Sequence, residues 1–86
     1  ELHTGAYANG AKGGLDALAE GARLAARCGL EVHAGHGLTY ENVQPVAALP
    51  EIAELNIGHF LIGEALFVGL EAAIGEMRAL MLAARA

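Results

Sequence analysis

Strand and helix signals alternate along the whole chain, and the strand signals run into glycine. Glu1 to Thr4 is short and strand-like and closes at Gly5. Gly10, Gly13 and Gly14 mark a loop, after which Leu15, Leu18, Ala22, Ala25 and Cys28 step by three and four, the spacing of a helix with one apolar stripe. Arg23 and Arg27 suit the negative end of that helix, and Gly29 suits its stop. Leu30 to Ala34 reads as a second strand, ending at Gly35-His36-Gly37. Thr39 is the expected N-cap of a short helix carrying Val43, Val46 and Ala47, with Pro45 near its first turn and Pro50 closing it. Glu54 to Ile57 reads as a third strand, ending at Gly58-His59. Leu66, Leu70, Ala73, Ile74, Met77, Leu80, Met81 and Ala84 then trace a long helix whose beginning is interrupted by Gly63 and Gly69.

This β-α-β-α-β-α order predicts a parallel sheet with right-handed crossovers. Parallel sheets are covered on both faces, and three strands with helices on one side leave a face bare. The pattern therefore implies further strands or helices. Length points the same way: 86 residues bury only roughly 60–65% of their unfolded surface. Alanine dominates the apolar count, and the only aromatic residues are Tyr7, Tyr40, Phe60 and Phe67. We expect residues 1–86 to be a fragment of one domain, since no linker or low-complexity stretch divides them.

Charge and cysteine content exclude other classes. Five Lys and Arg against ten Asp and Glu give a net charge of −5, a poor match to a nucleic-acid backbone. No apolar run reaches the ~18 residues of a membrane span. The lone Cys28 forms no internal disulfide and reads as a small core residue. Met77 and Met81, at i and i+4, read as core or subunit contacts.

The chemistry concentrates at two strand ends, Ala34-Gly35-His36-Gly37-Leu38 and Ile57-Gly58-His59-Phe60-Leu61. Glycine after a strand lets backbone N–H groups approach an anion, and the next helix adds free donors and a favourable dipole. Two such loops in succession fit a phosphate site, or merely tight turns. His36, between two glycines, is placed for general acid or base work, or is a loop histidine bonded to backbone. His59, at a helix start, suits ligand contact. Glu1 could face a pocket from the first strand, or be an exposed terminal acid. His3, His33, His36 and His59 make a poor metal set. His33 and His36 are at an odd offset, which sends them to opposite faces unless the backbone bulges.

With these loops in place, the chain resembles the C-terminal part of the pyridoxine 5′-phosphate synthase family essentially end to end. The resemblance rests on Glu1-Leu2-His3-Thr4-Gly5-Ala6-Tyr7-Ala8, Ala34-Gly35-His36-Gly37-Leu38-Thr39-Tyr40, Glu54-Leu55-Asn56-Ile57-Gly58-His59, and Glu76-Met77-Arg78 with Leu80-Met81. It implies an α/β fold, the last three βα units of a (β/α)8 TIM barrel. It implies ring closure between 3-amino-2-oxopropyl phosphate and 1-deoxy-D-xylulose 5-phosphate, giving pyridoxine 5′-phosphate, phosphate and water in vitamin B6 synthesis. By the same resemblance His36 is the proton donor, Glu1 stabilises the transition state, and Gly37, Gly58 and His59 bind the aminoacetone phosphate. It further implies no metal or cofactor, a cytoplasmic homo-octamer, and general bases on barrel strands outside this chain, so that residues 1–86 alone are inactive. The competing expectation is a non-catalytic phosphate-binding half-barrel that associates with another subunit.

Overall fold

The computed structural model describes residues 1–86. Its elements are β1 (Leu2–His3), α1 (Gly5–Ala8), α2 (Gly14–Arg27), β2 (Val32–Gly35), α3 (Val43–Ala47), β3 (Ile52–Asn56), α4 (His59–Val68) and α5 (Leu70–Ala84). The strands form one parallel sheet in the order β1-β2-β3. The expected alternation is present, with strand boundaries displaced: β2 begins and ends later than Leu30 to Ala34, and β3 begins two residues before Glu54.

The displacement of β3 has a physical cause. Val32 pairs with Ile52, but His33 pairs with Glu54, so Ala53 is an extra residue opposite β2. A bulge of this kind shifts the in–out phase of everything after it. Ile52 and Leu55 both pack toward the core, three residues apart, while Glu54 and Asn56 are exposed. A strict period of two cannot describe that strand.

One face of the sheet is clothed. Leu18 and Ala22 of α2, Leu38 and Val46 pack on Val32, Ala34 and Ile52, with Leu2 and Leu55 at the margin. The opposite face carries Glu1, His3, His33, Glu54 and Asn56, all exposed or half-buried. The bare face expected from the element order is therefore present and polar. On it His33 Nε2 lies 3.1 Å from Glu31 and Nδ1 lies 3.4 Å from Glu54.

Helix α2 ends as its glycine dictates. Gly29 has φ +82°, and the N–H groups of Gly29 and Leu30 reach Ala26 O and Ala25 O, the double bond of a Schellman stop. Cys28 is the C-cap of this turn and is exposed, correcting its assignment to the core stripe. The cap of α3 also differs. Its N-cap is Asn42, not Thr39. Asn42 Oδ1 accepts from Thr39 N at 2.7 Å, so these two residues close the turn before the helix.

The C-terminal helices meet at Gly69, whose φ of +90° turns the chain, whereas Gly63 lies within α4 without breaking it. Helix α5 buries Ala73 and Met77, with Met81 half-buried. Its end is tied down by Arg85, whose guanidinium donates to the carbonyls of Ala47, Leu49 and Ile52. Helix α4 buries no residue, and Leu66 and Phe67 are 82% and 87% exposed. No helix is long and apolar enough to cross a membrane.

Two phenols brace the loops. Tyr7 Oη donates to Asn42 O at 2.7 Å and Tyr40 Oη donates to Ala73 O at 3.1 Å. Burial pushes the pKa of Tyr7 above its ordinary value, and Tyr40 is raised by burial and then by Glu64 and Glu76. The folded state therefore keeps both protons longer than the unfolded chain. Their contribution is complete below the ordinary tyrosine pKa of about 10 and is lost as pH rises through the folded values. We expect denaturant midpoints to fall above about pH 10, and Tyr7→Phe with Tyr40→Phe to flatten that fall. An unchanged alkaline slope in the double variant would count against this assignment.

Candidate active site

The C-terminal ends of the three strands open into a cavity of about 690 Å³, lined by Glu1, His3, His36, Gly37, Gly58 and His59 among others. The structure thus brings together all five residues singled out by resemblance: Glu1, His36, Gly37, Gly58 and His59. His3, considered in the sequence only as a poor metal ligand, joins them.

His36 is held by an unusual backbone. Its φ is +98°, the only positive φ at a non-glycine residue. Such a conformation persists only where surrounding contacts enforce it. Here the fully buried Thr4 donates its hydroxyl to His36 O, and Thr4 N donates to Gly35 O at 2.8 Å. The resulting turn lays the imidazole against His3, with ring centroids 4.3 Å apart and planes 26° from parallel. This answers the odd offset from His33: the left-handed residue turns the ring back over the open face. His3 is itself fixed, since Nδ1 accepts from Gly5 N at 3.2 Å. That bond makes Nδ1 the acceptor and leaves Nε2 to carry the proton of the neutral ring.

The glycines of the two glycine–histidine loops, Gly37 and Gly58, serve for different reasons. Gly37 has φ +76°, and a Cβ there would stand 2.8 Å from Ala8 Cβ, so both backbone and packing demand glycine. Gly58 has φ −115° and nothing within 4 Å of a built Cβ. Glycine is unnecessary for folding at 58; what it does is leave the approach to α4 open. The first intrahelical bond of α4 runs from Ile62 N to Gly58 O, and no side chain caps the helix. The N–H groups of His59, Phe60 and Leu61 therefore have no partner within the helix and point toward the cavity end. Phe60 is steadied by an edge-on contact with Tyr40, centroids 4.6 Å apart. Backbone donors so arranged are chemically able to hold an anion such as a phosphate dianion.

Glu1 is exposed but not idle. Its Oε2 accepts from Asn56 Nδ2 at 2.5 Å. Asn56, which lines the cavity, and Thr4, buried behind it against His36, have no site role in the residue-by-residue reading, and His3 is weighed there only as a metal ligand. Thr4 and His3 lay beside Gly5 in a recognisable strand end, but Asn56 reaches the cavity only through the β3 bulge. No three His, Cys, Asp or Glu side chains lie close enough together to hold a metal ion.

The glycines yield a paired prediction. Gly37→Ala should destabilise the protein by about 1–3 kcal/mol through overpacking and backbone strain. Gly58→Ala should leave stability within about 0.5 kcal/mol, the range of an uncomplicated surface change, while weakening inorganic phosphate binding. Denaturant unfolding and phosphate titration separate the two; a Gly58→Ala protein that binds phosphate as before would remove this loop from the anion site.

Comparison with known proteins gives a consistent result. A family model described as "Pyridoxal phosphate biosynthesis protein PdxJ" matches residues 1–83. A pyridoxine 5′-phosphate synthase of Caulobacter vibrioides is 64% identical over 99% of this chain and 37% of its own length. That of Zymomonas mobilis is 66% identical over 100% of this chain and 35% of its own length. That of Rhodospirillum rubrum is 63% identical over 98% and 36%. The chain spans a little over a third of the length of these curated relatives.

Proposed function

Since the chain belongs to the pyridoxal phosphate biosynthesis protein PdxJ family, we propose that it forms the C-terminal, phosphate-binding side of a pyridoxine 5′-phosphate synthase active site. In this reading residues 1–86 are part of one (β/α)8 barrel domain completed by further strands of the same polypeptide. The bare polar sheet face would then line the barrel interior. The whole protein condenses 3-amino-2-oxopropyl phosphate with 1-deoxy-D-xylulose 5-phosphate, releasing phosphate and water. It acts without a metal or organic cofactor, as a cytoplasmic homo-octamer.

The observation that carries this reading is the convergence of Glu1, His36, Gly37, Gly58 and His59 on one cavity at the C-terminal ends of parallel strands, where barrel active sites lie. Each has a role that its surroundings suit. The unpartnered N–H groups at the start of α4, with the Gly58-His59 loop, take the phosphate of the amino ketone. Gly37 lets the second loop close on the same ligand without a side chain in the way. Forming a carbon–nitrogen bond and eliminating water requires a proton delivered to a departing oxygen, and His36 is the group placed to deliver it. Its stacking on His3 and its Thr4-anchored carbonyl fix the ring before substrate arrives. Glu1, across the mouth, stabilises positive charge developing on the condensing nitrogen. The general bases come from strands beyond residues 1–86.

A non-catalytic phosphate-binding half-barrel would use the same glycine loops but has no need for a strained histidine backbone. In the full-length protein, His36→Ala should lose ring-closing turnover while affinity for the phosphorylated amino ketone stays within about tenfold, or about 1.4 kcal/mol. Residues 1–86 alone should form no pyridoxine 5′-phosphate from the two substrates. Wild-type turnover in His36→Ala removes that residue from the acid role, and product formation by the isolated segment overturns the placement of the bases elsewhere.

A further inference from the structure

The bond between Glu1 and Asn56 joins strands that are not neighbours. Glu1 immediately precedes β1 and Asn56 ends β3, with β2 between them. Adjacent strands stand about 4.8 Å apart, so β1 and β3 are separated by roughly 10 Å. Two short polar side chains span that gap only by leaning toward each other over the middle strand. The β2 residue beneath them is Gly35, in register with His3 on one side and Asn56 on the other.

Gly35 has no conformational reason to be glycine, since it is absent from the positive-φ positions. Its reason is steric. A Cβ there would lie 2.6 Å from Asn56 O, 2.9 Å from Glu1 Oε2 and 3.1 Å from Asn56 Cβ. The missing side chain opens the space in which carboxylate and carboxamide meet.

We propose that Asn56 is a positioning residue for Glu1, acting across the gap left by Gly35. The amide N–H fixes the carboxylate through Oε2 and leaves Oε1 to face the ligand. Without it, a carboxylate at the open mouth of the cavity would sample several rotamers, and its charge would be aimed only part of the time. The bulge at Ala53 is part of the same device, because it sets the phase that delivers Asn56 to the open face. This inference rests on the role proposed above for Glu1.

The test uses the full-length protein and steady-state formation of pyridoxine 5′-phosphate. Asn56→Ala should lower kcat on the order of tenfold to a hundredfold, the scale of misplacing a reacting group by about 1 Å. The KM of each substrate should stay within about threefold, under 1 kcal/mol, because phosphate binding is elsewhere. Asn56→Asp places a second carboxylate against the first, and two carboxylates so close hold one proton between them at mildly acid pH. Its activity should therefore be low at neutral pH and recover as pH falls, whereas Asn56→Ala should show no such recovery. A merely structural role for Asn56 would not move the pH profile in this way. Wild-type kcat in Asn56→Ala, or Asn56→Asp with a wild-type pH profile, overturns the proposal while leaving the functional reading intact. A wild-type full-length protein that makes no product removes both.

Discussion

Packing on a single face of the sheet governs everything else in this chain. Leu18 and Ala22 from α2, with Leu38 and Val46, close over Val32, Ala34 and Ile52, and these seven buried side chains hold the strands parallel and in order. Only 14 of 86 residues are buried, so the clothed face accounts for much of the core and the other face is left to polar groups. A buried carboxylate or imidazole would need a full set of partners to offset its desolvation. On the open face Glu1, His3 and Asn56 escape that cost and stay available to a ligand.

From that arrangement the site follows by short steps. Parallel strands put all their C-terminal ends at one edge, so the three loops that follow them share one cavity. Thr4, at the end of β1, reaches the carbonyl of His36 after β2, binding two of those loops together. The third is positioned by α4, whose uncapped first turn faces the same space. Glycine recurs at this edge for three distinct reasons: a left-handed backbone at Gly37, steric room at Gly35 and open access at Gly58.

Much of this was legible in the sequence. The alternation of elements, the parallel topology, the uncovered face and the glycine–histidine loops all follow from local spacing, because helix period and turn chemistry are set by near neighbours. What escaped depended on distant partners. The strand at 52–56 was misplaced because the bulge at Ala53 forms against β2, and no residue within the strand announces it. Asn56, present only within a longer motif, is given no role of its own for the same reason, its partner lying fifty-five positions away at Glu1. Cys28 fits a helical stripe by count, yet it sits at the cap, where the chain is already turning toward Gly29. Thr39 has the chemistry of a cap, but its turn with Asn42 passes that role three residues on.

The sheet order carries a consequence for how the molecule is made. Because β1, β2 and β3 lie side by side in the order in which they occur along the chain, each strand finds its partner in the unit just before it. Parallel sheets usually pay heavily in loop closure, since pairing must wait for distant segments. Here the crossovers are short, α1 and α2 between β1 and β2 and α3 alone between β2 and β3, so a nascent chain leaving the ribosome meets its template strand already in place. Assembly can advance one βα unit at a time, each new strand extending an edge that the preceding unit has left exposed.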